Sequence, residues 1–118
     1  MWALRGAITL EENSRAQVQA QTQRLVKEML ARNEIGHEDI VSIVFTATED
    51  VTAEFPATAA RALGLGDVPL LCAKELSIAG GMGLCVRVLM HVYTERSRSE
   101  LHHVYLDGAR SLRDDLPE

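Results

Sequence analysis

The sequence predicts one α+β (α/β) domain, a mixed β-sheet covered by one long and one short helix in the order βαβαβββ. Three observations carry this. The chain has 118 residues, 47% of them hydrophobic, enough for one domain with its own core. One long segment repeats its apolar residues with helical spacing. Five other segments alternate with period two or run nearly continuously apolar.

The first strand is "WALRGAIT". Trp2, Leu4 and Ile8 point one way, and Ala3, Arg5 and Ala7 the other. Next comes the long helix. Ser14 with Gln17 three residues on reads as a capping box. Val18, Thr22, Leu25 and Met29 make one stripe, widened by Val26 and Leu30, and Gly36 is expected to end the helix. "DIVSIVFTAT" is β-branched and reads as a strand covered on both faces. "EDVTAEFP" reads as turn and loop. "FPATAARALG" is a short helix with Pro56 in its first turn and Gly64 at its end. "DVPLLCA" is a short strand and "SIAGGMG" a glycine loop. "LCVRVLMHVYT" is a long strand and "LHHVYL" another, joined by "ERSRSE" as a hairpin-like connection. The tail from about residue 114 is polar and is read as mobile.

Composition excludes several classes. A net charge of -5 argues against nucleic acid as a partner. No apolar window is long enough to span a membrane. The start lacks a basic region followed by an apolar one, so no signal peptide is expected. Cys72 and Cys85 form neither a metal-binding nor a redox pair, and a reduced, cytoplasmic protein is expected. Ten of the twelve basic residues are Arg, which suits bidentate carboxylate contacts. No internal repeat stands out.

Within "LCVRVLMHVYT", period two sets Cys85, Arg87, Leu89, His91 and Tyr93 on one face. Val86, Val88, Met90 and Val92 take the other, which must be core. Arg87 is thus a cation held mid-strand. It serves either as the floor of an anion site or as one half of an ion pair across an interface. Glu75 follows a strand end, where a lone Glu is most often solvated. Cys72 has no His nearby in sequence and reads as a small hydrophobe rather than a nucleophile. His91, His102 and His103 do not make a metal site, because adjacent histidines on a strand face opposite ways. "GGMG" lacks the Lys-Ser/Thr of a phosphate loop. No metal or cofactor is expected.

Taken together, "RGAIT", "FPATAARALG", "VPLLCAKEL" before "GGMGLCVRVLM", and "HHVYLDGARSLRDDL" resemble the small α/β chorismate mutases. These are the AroH-type enzymes, not the all-helical type. The shared pattern is an Arg-Gly in the first strand, a Cys-x-x-Glu, an Arg in the next strand, and a Tyr followed eight residues later by an Arg. It covers nearly the whole chain.

The resemblance implies a homotrimer, a pseudo-α/β-barrel, with sites between neighbouring subunits. It implies conversion of chorismate to prephenate on the route to phenylalanine and tyrosine, with no cofactor. In that pattern Arg5 binds a substrate carboxylate, with Tyr105 donating to it. Arg87 faces the breaking ether oxygen, and Glu75 and Cys72 sit at the ring hydroxyl. Phe55, Ala57 and Leu70 form an apolar wall. Arg61 and Arg113 stand near the entrance, and Leu71, Ala73, Lys74 and Leu112 complete the substrate-binding set. Thr58 stands where some relatives carry a basic residue, and Leu71 where they carry a polar one. With one domain, no built-in allosteric site is expected. The alternative is a non-catalytic trimeric sensor of a small carboxylate, which would share Arg5 and Arg87 but would not need Glu75 and Cys72.

Overall fold

The computed structural model describes residues 1–113, and the tail from about residue 114 lies outside them. The elements follow the expected order: β1 (Trp2–Thr9), α1 (Arg15–Asn33), β2 (Ile40–Ala47), α2 (Pro56–Ala60), β3 (Leu70–Lys74), β4 (Cys85–Val92) and β5 (Val104–Leu106). They build one five-stranded sheet in the order β3-β2-β4-β1-β5. The sheet is mixed. β4 runs antiparallel to β1 and β2, and each outer strand runs parallel to its neighbour.

Period two divides the sheet as the sequence predicts. Leu4, Ile8, Ile43, Phe45, Val86, Val88, Met90, Val92, Val104 and Leu106 share one core with Val18, Leu25, Val26 and Met29 of α1 and Ala57 and Ala60 of α2. Both helices therefore lie on one face. Gly6 makes the close approach of α1 possible, since a Cβ there would stand 2.6 Å from Met29 Sδ. α2 has its proline at the first helical position and runs into a wide turn, Arg61–Leu65, broken by Gly64 at φ 88°.

Four expectations are corrected. The long helix stops at Asn33, before Gly36, because Glu34 adopts the left-handed conformation (φ 53°) and returns its N–H to the last turn. The capping box is half formed. Ser14 Oγ accepts from the Gln17 N–H, while Gln17 Oε1 accepts from the Glu11 N–H at 3.0 Å. β2 is covered on one face only. Ile43 and Phe45 are buried, while Ser42, Val44 and Thr46 are half-buried on the face away from the helices. Finally, β4 and β5 do not form a hairpin, because β1 lies between them. The connection contains a 3-10 helix, Arg98–Glu100, and crosses the end of β1. There Trp2 Nε1 donates to the Arg96 carbonyl, and the Arg98 guanidinium stacks 4.7 Å from the Trp2 ring.

Candidate active site

The face away from the helices carries a row of residues in register across all five strands: Ala73, Thr46, Arg87, Ala7 and Tyr105. Arg87 stands in the middle. Its row neighbours on both sides are small, so the guanidinium rises from the sheet with room around it. Arg87 Nε is buried and lies 3.0 Å from Glu75 Oε1, off the line of the N–H, so the contact is an ion pair rather than a hydrogen bond. Glu75 is brought there by its backbone, whose N–H donates to the Ala47 carbonyl and extends the β2–β3 ladder by one step. Its other oxygen accepts weakly from Thr46 Oγ1 at 3.4 Å. Glu75 is therefore not a solvated loop carboxylate. It lines a cleft of about 840 Å³ with Arg87, under the glycine loop.

Arg5 stands on the same face, paired with Leu89 and two residues along β1 from Ala7. Among the described residues its guanidinium has no hydrogen-bond or ion-pair partner. Tyr105 and Leu112 pack beside a small buried cluster of Ala7, Cys85 and Ala109. This cluster seats the final 3-10 helix, Asp107–Arg113, against one end of the face. Arg113 closes that helix, and the expectation for its side chain lies outside what the structure describes. Burial pushes the Cys85 thiol up to about 11, the nearby Arg87 charge only partly opposing it. Cys85 is thus a neutral packing residue.

The remaining predicted residues gather elsewhere. Phe55, Cys72, Ala73 and Lys74 line a second cavity of about 620 Å³, which meets the first at Thr48 and Glu49. Cys72 pairs with Phe45 and so faces the helices, not the row that carries Arg87. Phe55 is 67% exposed at the start of α2. Ala57 is buried in the core and Leu70 packs against it. Leu71, 61% exposed, lies on the open face beside Val44. Lys74 is held only loosely, 3.9 Å from Glu49. Arg61 is exposed and donates to Thr58 Oγ1, which in turn donates to Glu54. Thr58 therefore links a cation to a carboxylate instead of supplying a cation itself. Within one chain, then, Arg87, Glu75, Arg5 and Tyr105 come together on one side, and Phe55 and Cys72 on another.

Sequence reasoning missed the residues that hold this frame. Asp50 accepts from the Leu84 N–H with both carboxylate oxygens, at 3.0 and 2.9 Å, and from the Thr48 hydroxyl. The Thr48 hydroxyl bond holds its carboxyl below the usual range, against the cost of burial. Leu84 stands at φ 45°, which those bonds stabilise. Thr48 Oγ1 also accepts from the Cys85 N–H. The start of β4, two residues before Arg87, is pinned in this way. Asn13 does the same for the loop before Phe55: its Oδ1 accepts from the Thr52 and Ala53 N–H groups. The signal was present in "TATED" and "EENS", turn residues whose side chains bond nearby backbone. Among the described residues no group of three His, Cys, Asp or Glu side chains could hold a metal ion.

Four similarities to known proteins bear on this arrangement. Residues 1–116 match the family model described as chorismate mutase type I. The chain is 41% identical over 114 residues to chorismate mutase AroH of Thermus thermophilus, covering 96% of this chain and 93% of that protein. It is 37% identical over 114 residues to chorismate mutase AroH of Bacillus subtilis (strain 168), covering 96% and 90%. A solved chorismate mutase from Clostridium thermocellum is 43% identical and superposes with a TM-score of 0.93, covering 94% of this chain and 99% of that one.

Proposed function

The chain belongs to the type I chorismate mutase family, and from that premise we propose that it works as a homotrimer whose sites are each shared by two subunits. It is a chorismate mutase, an isomerase that converts chorismate to prephenate in aromatic amino acid biosynthesis. The sensor reading finds no support in these relatives.

One observation carries the shared-site reading. The candidate residues of one chain divide into two clefts, Arg87 and Glu75 in one, Phe55 and Cys72 in the other. A neighbour that sets its second cleft against the first would complete the set. The open sheet face supports this, because Leu71 (61% exposed), Leu89 (39% exposed) and Val44 form an apolar stripe that a subunit would cover. Closed threefold packing of these sheets makes the pseudo-α/β-barrel.

The chemistry follows from charge and shape. Chorismate is a dianion that prefers an extended form in water, whereas the rearrangement needs its two ends folded together. Arg5 and Tyr105 hold a carboxylate, Arg61 and Arg113 attract the dianion at the mouth, and Phe55 supplies an apolar wall. Together they select the compact form. As the C–O bond breaks ahead of C–C bond formation, negative charge grows on the ether oxygen. The fixed Arg87 guanidinium stabilises that charge more than the ground state. Glu75 occupies one edge of the guanidinium and aims the rest, while its free lone pairs and the Cys72 thiol meet the ring hydroxyl. A rate gain of about 10⁶-fold needs only roughly 8 kcal/mol, which these terms supply without a general base. Among the described residues no helix is long and apolar enough to cross a membrane.

Loss of the ultraviolet absorbance of chorismate, measured beside molar mass by light scattering, tests this reading. The expected result is turnover by a trimer. Full activity in a species of monomer mass would overturn it.

A further inference from the structure

Parallel pairing of β1 with β5 begins at Gly6 and Val104. One residue earlier, the Arg5 N–H meets no strand carbonyl. It donates instead to Nδ1 of the His103 ring, at 2.9 Å. A side chain here stands in for the next rung of the ladder. The donor is a backbone N–H, so Nδ1 must be an unprotonated acceptor, and the neutral ring carries its proton on Nε2.

The residue before it is fixed just as closely. Asn33, at the end of α1 and 1% exposed, accepts from the His102 N–H at 2.7 Å and donates to the His102 carbonyl at 2.8 Å. Its amide also donates to the Met29 carbonyl. A continuous path of bonds therefore runs from the buried end of α1, through residue 102, to the imidazole and the backbone of Arg5. Two residues beyond His103, Tyr105 emerges on the face that Arg5 shares.

We propose that His103, as the Nε2–H tautomer, is a positioning residue that sets the main chain of Arg5 relative to Tyr105. It rests on the reading that Arg5 and Tyr105 hold a substrate carboxylate. His103 touches no substrate in this scheme and acts through its bond to the Arg5 backbone.

The test is a double-mutant cycle with a conservative rescue. His103→Ala removes the acceptor. His103→Asn places an amide oxygen near the position of Nδ1 and keeps it. His103→Ala is expected to lower kcat/KM by about 10- to 100-fold, mostly through KM, because Arg87 is untouched. His103→Asn is expected to stay within a few-fold of wild type. In an Arg5→Ala background, His103→Ala is expected to cost little more. Full loss in that background, or equal loss in the Asn and Ala variants, would overturn the proposal. Should the Ala variant fail to fold, nitrogen-15 spectra of the wild-type ring decide: a proton on Nδ1 refutes the bond, and a proton on Nε2 supports it. Arg5→Ala alone tests the underlying reading. Unchanged KM there would remove Arg5 from substrate binding, while the spectra would still decide whether the His103 bond exists.

Discussion

Arg87 Nε and Glu75 Oε1 stand 3.0 Å apart, so one edge of the guanidinium is committed to its own chain before any ligand arrives. The buried Nε faces Glu75, the guanidinium also bonds to the Cys85 thiol, and the rest of the fork can meet an incoming oxygen. This division of one side chain into a held edge and a working edge sets the first prediction.

Arg87→Lys should lose far more activity than the conserved charge suggests. Lysine has one ammonium where arginine has a fork, and it cannot meet Glu75 and the ether oxygen in the same two directions. Removal of one oxyanion donor costs about 10²–10³ in turnover, and a loss of that order is expected in kcat. A Lys variant within a few-fold of wild type would remove Arg87 from the electrostatic role.

Cys72 faces the helix side and packs against the core cluster. Cys72→Ser should retain most activity and Cys72→Ala a fair part. Mass spectra taken during turnover should show no substrate-derived adduct. If Cys72→Ala abolished turnover with binding intact, and an adduct accumulated in wild type, a covalent step would have to be admitted.

Cys85 gives the enzyme a signature in alkali. Burial raises its thiol from 9.0 to about 11, while the unfolded chain releases the same proton near the ordinary value. The folded state therefore holds the proton longer. This contribution to stability is complete below about pH 9 and is lost as the pH rises through about 11. Its ceiling is about 3 kcal/mol. Cys85→Ala has no proton to lose. Relative to its own value at about pH 8, its stability to denaturant should fall less than that of wild type at about pH 10.5, at fixed protein concentration. Parallel losses in the two proteins would show that the thiol is not the group responsible.

The order of elements and the two faces of each strand were legible because they depend on local periodicity. Arg87 could be placed opposite the core from the alternation of Val86, Val88, Met90 and Val92 alone. The partners of each strand were not legible. "ERSRSE" looks like a hairpin because it is short and polar, yet β1 had already taken that flank of β4 with eight residue pairs. The Glu75–Arg87 contact was equally hidden, since it depends on β2 standing between β3 and β4 and on the Glu75 N–H reaching the Ala47 carbonyl. The role of His103 was hidden for the same reason: its partner is a backbone N–H 98 residues away in sequence. The half-exposed Val44 and Thr46 carry the converse lesson. Their apolar strand reads as covered on both faces, and one chain covers only one.

That uncovered face leads to the final prediction. Arg87 and Phe55 line separate clefts in one chain, so the shared-site reading requires that a working pocket draw them from different chains. Arg87→Ala removes the oxyanion donor. Phe55→Asp sets a carboxylate beside the carboxylates of the substrate. Each variant alone should be nearly inactive. When the two are unfolded together in equal amounts and refolded, chains assort at random. A head-to-tail trimer has three equivalent interfaces, each taking Arg87 from one chain and Phe55 from the next. Both residues are then intact at about one interface in four, and activity should return to roughly that fraction of wild type. Refolding each variant separately controls for recovery, and native mass spectra confirm that mixed trimers form. A mixture as inactive as its parents, with mixed trimers present, would mean that each pocket takes both residues from one chain.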